Sequence, residues 1–289
     1  MKKVFILITA LLLCFSISFA QRDFDNVTIK TTHAGGNVYM LEGAGGNIGV
    51  TVGDDGIIMI DDQFAPLADK IKAALKELNP GKLKFLLNTH VHGDHVGGNS
   101  IFGKETTIIA HENIRKRMVD KFNKDNSEQG KDGWPVITFE KSIAVYFNDE
   151  KIEIMHMPKG HTDGDAVIYF TKSNVVHTGD QFFNGLFPFV DLDNGGTVDG
   201  YIKNVEEIIT KLNDSVVIIP GHGPLATGAD YRKCYEMLQE TTRMVRGDIE
   251  NGMSVEEIIE KGLGEKYASW SWSFIPEKRW IETIYNDTK

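Results

Sequence analysis

From residue 27 onward, short runs of aliphatic and β-branched residues alternate with glycine. Residues 27–32, 38–42, 48–52 and 57–61 each have the length and composition of a strand. Gly43, Gly45, Gly46, Gly53 and Gly56 separate them, as tight turns require. The period then changes. Leu67, Ile71, Ala74, Leu75 and Leu78 recur at three- and four-residue steps, which predicts a helix over 66–78. Residues 84–87 predict a brief buried strand. The second half repeats the order. Strands are expected over 143–147, 151–155, 166–170, 175–177 and 216–219, with helices over 200–212 and 229–246 and a shorter one after Ser254. Strand-rich then helix-rich, twice, is the pattern of an α/β chain with two packed β-sheets and helices outside. Residues 122–135 are polar and glycine-broken and read as a mobile loop.

Composition changes this picture at the start of the chain. Lys2 and Lys3 precede an apolar stretch over 4–15, and Ser18-Phe19-Ala20 gives a small-x-small cleavage pattern. Residues 1–20 therefore read as a secretory signal peptide cleaved after Ala20. The stretch is shorter than the roughly 20 apolar residues of a membrane span, and no later segment is long and apolar enough. A secreted or periplasmic protein with no stable membrane insertion is the expectation. Residues 21–289 are expected to form one domain, with a core over about 38–224 and a helical part over 225–289. Beyond the leader the only cysteine is Cys234, so neither an internal disulfide nor a thiolate metal site is available. The formal charge is −10, and loss of Lys2 and Lys3 makes it two units more negative. Such a chain repels phosphate backbones, which argues against nucleic acid and leaves a small molecule as the expected partner.

The chemistry concentrates in "LLNTHVHGDHVGG", residues 86–98. An extended segment sends residues i and i+2 to one side, so His90 and His92 can face one ion. Gly93 lets the chain turn, and Asp94 and His95 open what reads as a helix, where adjacent side chains diverge. One of them can face the first ion's neighbourhood and the other a second ion. Imidazole suits zinc and iron, and a carboxylate adds a harder donor. Three further turns repeat the theme. "PKGHTDGD" carries His161, "VVHTGDQFF" carries Asp180 and "VVIIPGHGP" carries His222, each expected in the loop after an apolar strand. Of the other histidines, His33, His111 and His156 read as structural, and His177 as packing. Asp61 and Asp62 read as buried hydrogen-bonding groups, and Asp165 as a group that orients a ligand histidine.

HxHxDH followed in order by GHT, GD and GHG resembles the metallo-β-lactamase superfamily over about 38–224. The resemblance implies an αββα sandwich of two mixed β-sheets flanked by helices, with the site at one edge. It implies one metal on His90, His92 and His161, a second on Asp94, His95 and His222, and Asp180 bridging them. It implies two Zn2+ per chain, with iron or manganese as alternatives. Asp180 stands where true β-lactamases of the superfamily have a cysteine or serine, and looks more like the glyoxalase II and general hydrolase branches.

A metal pair of this kind holds a water and lowers its pKa toward ~7. Asp94, beside that water, is the candidate catalytic group. The expected reaction is hydrolysis of an ester, lactone, thioester or β-lactam-type carbonyl. The alternatives are a glyoxalase II-like thioesterase and a mononuclear iron oxidoreductase of the same fold. The export signal argues against a cytosolic glutathione thioester, and the complete second ligand set argues against a single iron. "QFFNGLFPF" follows Asp180, so Phe182, Phe183, Phe187 and Phe189 are the candidate pocket wall and Asn184 a candidate oxyanion donor. Trp270, Trp272 and Trp280 are expected to dock the last helix.

Overall fold

The computed structural model describes residues 24–125 and 130–289, so the signal peptide expected over 1–20 lies outside the described residues. Its first sheet begins as an antiparallel meander of β1 (Lys30–Gly35), β2 (Val38–Glu42), β3 (Ile48–Gly53) and β4 (Gly56–Ile60). The helix α1 (Ala68–Leu78) then crosses over to β5 (Leu83–Leu87), which lies parallel to β4. Two single turns, α2 (Gly93–Val96) and α3 (Asn99–Phe102), lead to β6 (Thr107–His111). After α4 (Glu112–Asp125) the sheet ends with the short β7 (Ile137–Phe139), also parallel.

The second sheet begins with β8 (Ser142–Phe147), β9 (Glu150–Met157), β10 (Asp165–Phe170) and β11 (Val175–Phe183), each antiparallel to the one before it. The helix α5 (Val198–Lys211) carries the chain to β12 (Val217–His222), parallel to β11, and the two-residue β13 (Ala226–Thr227) closes the edge. Three helices follow: α6 (Gly228–Glu250), α7 (Val255–Lys261) and α8 (Glu277–Thr288).

The strands alternate, but both of their faces are buried. In β4, Ile58 and Ile60 join the apolar layer between the sheets, while Ile57 and Met59 pack toward Ile71 and Leu75 of α1. In β12, Ile219 faces the inter-sheet layer and Ile218 the outer helices. That is why these segments read as unbroken apolar runs. The outer face of the second sheet is covered by Tyr201, Val205 and Ile208 of α5, Tyr231 and Leu238 of α6, and Trp280 and Ile284 of α8. The result is a helix–sheet–sheet–helix sandwich, as the resemblance implies.

Differences from the sequence reading have local causes. α5 starts two residues early because the Thr197 hydroxyl accepts from the Gly200 N–H and caps it. β1 is shifted to 30–35 because its register is set across the hairpin by Thr31↔Leu41 and Thr32↔Met40. Residues 122–125 complete α4, and Trp134 packs its ring on Phe122 at 5.5 Å. The segment read as a loop is therefore partly helical, and residues 126–129 lie outside the described residues. Asp180 lies inside β11, and His222 is the last residue of β12, so neither stands in a loop. β11 continues through Gly179 because a register shift there, with φ +50° at that glycine, re-aims the strand.

Candidate metal centre

The site forms where the C-terminal ends of β5 and β12, the middle of β11 and the turn after β9 meet at one rim of the sandwich. β5 delivers the chain to His90 and His92, and the first turn of α2 presents Asp94 and His95. The turn between β9 and β10 presents His161, β11 presents Asp180 and β12 presents His222.

The seven side chains converge. His90, His92, His161 and Asp180 each offer a ligand atom within 4.8 Å of the others, as do Asp94, His95 and His222. Asp180 lies between the two groups. Its Oδ2 is 3.7 Å from His90 Nε2, 3.4 Å from His161 Nε2 and 3.6 Å from His222 Nε2, and its Oδ1 is 3.1 Å from His95 Nε2. His222 Nε2 also lies 3.4 Å from Asp94 Oδ2.

The outer partners fix which ring nitrogen faces the centre. A carboxylate or carbonyl oxygen only accepts, so the nitrogen that meets it carries the proton. His95 Nδ1–H donates to Asp61 Oδ2 at 2.7 Å, His161 Nδ1–H to the Phe189 carbonyl at 2.6 Å, and His92 Nε2–H to Asp191 Oδ2 at 2.7 Å. The opposite nitrogens, His95 Nε2, His161 Nε2 and His92 Nδ1, are left as lone-pair donors aimed inward. His161 Nε2 and His92 Nδ1 come within 2.8 Å of each other. Two neutral lone pairs at that distance repel unless a cation lies between or beside them. His90 Nε2 is buried with no hydrogen-bond partner. The residues present therefore fit a metal: inward lone pairs, an orphaned buried imidazole nitrogen, and carboxylates to balance charge.

In the metal-free chain the rings divide: Asp180 and Asp61 outweigh burial and raise His95 well above its usual range, so a bound cation would displace the proton on its inward nitrogen. Burial, reinforced by His95, holds the His90 imidazole well below its usual range. Burial and then His92 take His161 down to about 4. Both are neutral donors at physiological pH. Burial alone would lower His222, but Asp180 outweighs it and the ring is pushed up to about 9. Burial would likewise raise Asp94, but His95 and His222 hold its carboxyl at about 2, so it is ionised. Asp180 is ionised for the same reason, with His95 and His222 outweighing its burial.

The support beneath the donors is hydrogen-bonded throughout. Asp61 accepts from the Thr89 N–H at 2.8 Å and from its hydroxyl at 2.6 Å, as well as from His95. Asp61 and Gln63 both take left-handed backbone conformations, φ 62° and 55°. Such conformations in non-glycine residues persist where the surroundings enforce them. Gly46 is required here because a side chain would run into the His95 ring. Asp165 orients the His161 turn by accepting from Thr162 N and Oγ1 and from Gln181 Nε2, rather than by touching the ring. His177 is buried and bonds the Asn47 carbonyl at 3.1 Å, which is a packing role. His111 and His156 stack on each other at 3.7 Å, away from the centre.

The candidate pocket is only partly the one read from the sequence. A cleft of about 520 Å³ opens above the donors, and Phe183 lines it. Phe183 also stacks on His222 at 5.1 Å with an 8° interplanar angle. Phe182 and Phe187 do not line the cleft. Alternation along β11 turns Phe182 outward against Tyr231 of α6, and Phe187 packs on Trp280. The Asn184 amide donates to the Pro224 carbonyl instead of pointing over the donors. The rest of the wall is Phe64, Phe189, Trp272 and Phe274. Trp280 docks the last helix as expected, but Trp272 faces the cleft. Asp191 and the Trp272–Phe274 segment carry no motif, and only the folded chain brings them to the site.

The architecture and donor set define the class first: an αββα sandwich with an imidazole–carboxylate centre at its rim. A sequence model of the metallo-beta-lactamase superfamily matches residues 34–222, and the chain belongs to that superfamily. Its relatives include the hydroxyacylglutathione hydrolase GloC of Haemophilus influenzae, 28% identical over 170 residues (55% of this chain, 77% of that protein). The metallo-beta-lactamase type 2 of Bacillus cereus is 23% identical over 176 residues (58% of this chain, 63% of that protein). Among solved structures, a metallo-beta-lactamase from Pontibacter korlensis superposes with a TM-score of 0.63 at 15% identity, over 73% of this chain and 99% of that one. The sec-alkylsulfatase Pisa1 from Pseudomonas sp. gives 0.71 at 17% identity, over 89% of this chain and 50% of that one. Family membership supports hydrolase activity and metal binding. Among the described residues no helix is long and apolar enough to cross a membrane.

Proposed function

We propose that the protein is an exported, zinc-dependent hydrolase with two metals per chain, acting on a small ester, lactone, thioester or β-lactam-type carbonyl. The observation that carries this reading is Asp180, one carboxylate within reach of histidines from both donor groups. In this reading His90, His92 and His161 hold one cation, Asp94, His95 and His222 hold the other, and Asp180 serves both. When bound, such cations supply Lewis acidity and a water acidified to a pKa of about 7.

The chain's own groups do the rest. Asp94 is ionised and partly open to the cleft, so it accepts a hydrogen bond from the attacking water and orients it. Asp61, Asp191 and the Phe189 carbonyl keep three rings in the required tautomer. The thiol of Cys234 does not compete as a nucleophile. Cys234 is buried in α6, and burial pushes its thiol up, away from the thiolate. Export rests on the basic start, apolar stretch and Ser18-Phe19-Ala20 of the leader.

The test is a hydrolysis panel on purified, zinc-loaded protein, covering β-lactams, lactones, esters and thioesters, with metal counted per chain. Two zinc ions and turnover of at least one carbonyl class are expected. Asp180→Asn should lower both metal content and turnover. One iron per chain with oxygen consumption would instead establish the oxidoreductase alternative.

A further inference from the structure

Three aromatic rings of the cleft, Trp272, Phe274 and Phe189, are more than a lining. They form a continuous belt between the two donor groups. His222 lies 6.0 Å from Trp272, Trp272 5.5 Å from Phe274, Phe274 5.4 Å from Phe189, and Phe189 5.5 Å from His92. The belt is fixed from behind. The Trp272 indole N–H donates to the Phe187 carbonyl at 2.9 Å. The Arg279 guanidinium lies 4.4 Å from the Phe274 ring and 5.0 Å from the Phe189 ring, and it donates to the Phe274 carbonyl at 2.9 Å. Phe274 is nevertheless 46% exposed, one of few large apolar side chains so placed. A preorganised ring held open to water above a reactive centre is unsatisfied apolar surface, and a ligand is the natural cover for it.

The charges of the cleft select further. Among the described residues no lysine or arginine lines it. The α4 face carrying Lys116, Lys121 and Lys124 is a separate groove that shares only His92 and Gly93 with the cleft. A volume of about 520 Å³ matches a small-molecule site rather than a polymer groove.

We infer that the cleft takes an uncharged carbonyl compound bearing a flat aromatic or medium alkyl substituent, and that Trp272 and Phe274 determine this specificity. The inference rests on the hydrolase reading for the reaction but not for the binding. The apolar substituent lies along the belt, and the carbonyl lies at the base beside Asp94. A substrate whose recognition depends on carboxylates, such as a glutathione conjugate, finds no lysine or arginine among the lining residues to pair with.

Two measurements test it. Calorimetry on the zinc-loaded protein with an inert amide, 2-naphthylacetamide, reads binding without turnover. Binding is expected, weakened about tenfold or more by Trp272→Ala and several-fold by the half-exposed Phe274→Ala, and largely restored in Trp272→Phe. Absence of binding, or equal affinity in the Ala variants, overturns the inference. The second measurement is kcat/KM over p-nitrophenyl esters from acetyl to hexanoyl and phenylacetyl, against esters of equal length ending in a carboxylate. A rise with apolar length and a preference of at least tenfold for the neutral esters are expected. Better turnover of the anionic esters points to the α4 groove and refutes the assignment. Ring-dependent amide binding without hydrolysis of any ester would refute the hydrolase reading alone.

Discussion

The floor of the cleft and its wall are built by different rules. The floor is His90, His95, His161 and Asp180 over Asp61 and Thr89, all buried and tied by hydrogen bonds to sheet ends and tight turns. The wall is Phe64, Phe189, Trp272 and Phe274, drawn from loops and held mainly by ring contacts. A floor set by directional bonds tolerates little displacement, because each ring has one acceptable tautomer and angle. A wall set by dispersion and area tolerates exchange of one ring for another. The superfamily's common chemistry belongs with the floor, and a chain's own choice of substrate with the wall.

The largest effect that would sharpen this contrast comes from Asp61→Asn. The amide keeps the shape but offers an N–H where His95 Nδ1–H needs an acceptor. Metal affinity is expected to fall roughly 10–100-fold, as losses of outer partners do. Competition against a chromophoric chelator measures it. Unchanged affinity would mean the floor is not directionally set.

A smaller effect concerns His177 beneath the floor. Burial holds its folded pKa at about 4, below the 6.5 of the free side chain. A histidine with a depressed pKa adds stability above pH 6.5, and that stability is lost as pH falls from 6.5 toward 4. Unfolding free energy of metal-free protein should therefore drop across that window. The drop should be shallower in His177→Gln, by up to one proton, about 1.4 kcal/mol per pH unit. Denaturant titrations at pH 6.5, 5.5 and 4.5 compare the slopes, and identical slopes would contradict a neutral buried ring.

The smallest effect is expected for Asn184→Ala. Its amide is committed to the Pro224 carbonyl at an exposed position, so a loss of about 0.5–1.5 kcal/mol in stability and no change in kcat are expected. A tenfold fall in kcat would return Asn184 to the floor as an oxyanion donor.

The same division explains what could be read from the chain. His90, His92, Asp94 and His95 announce themselves because one strand end and one turn place them within six residues. His161, Asp180 and His222 follow because each comes directly after a glycine that closes an apolar run. Asp191 was invisible: an aspartate in "VDLDNGG" reads as a turn former, and only the fold puts its carboxylate on His92. Trp272 was read as a docking residue because aromatic spacing does not say which side of a segment faces a cleft. Phe182 and Phe183 are adjacent in an extended strand, so at most one could face the site, and alternation chose Phe183. α4 was missed because its apolar stripe is a single file of Ile114, Met118 and Phe122, the minimum that a helix on a sheet needs.

The order of these parts along the chain has a consequence for biosynthesis. A polypeptide emerges from its N-terminus, and every donor from His90 to His222 precedes the segment that brings Trp272 and Phe274. Every donor of the centre is thus synthesised before Trp272 and Phe274 of its cleft wall. The apolar side arrives afterwards and narrows the entrance to a molecule's width.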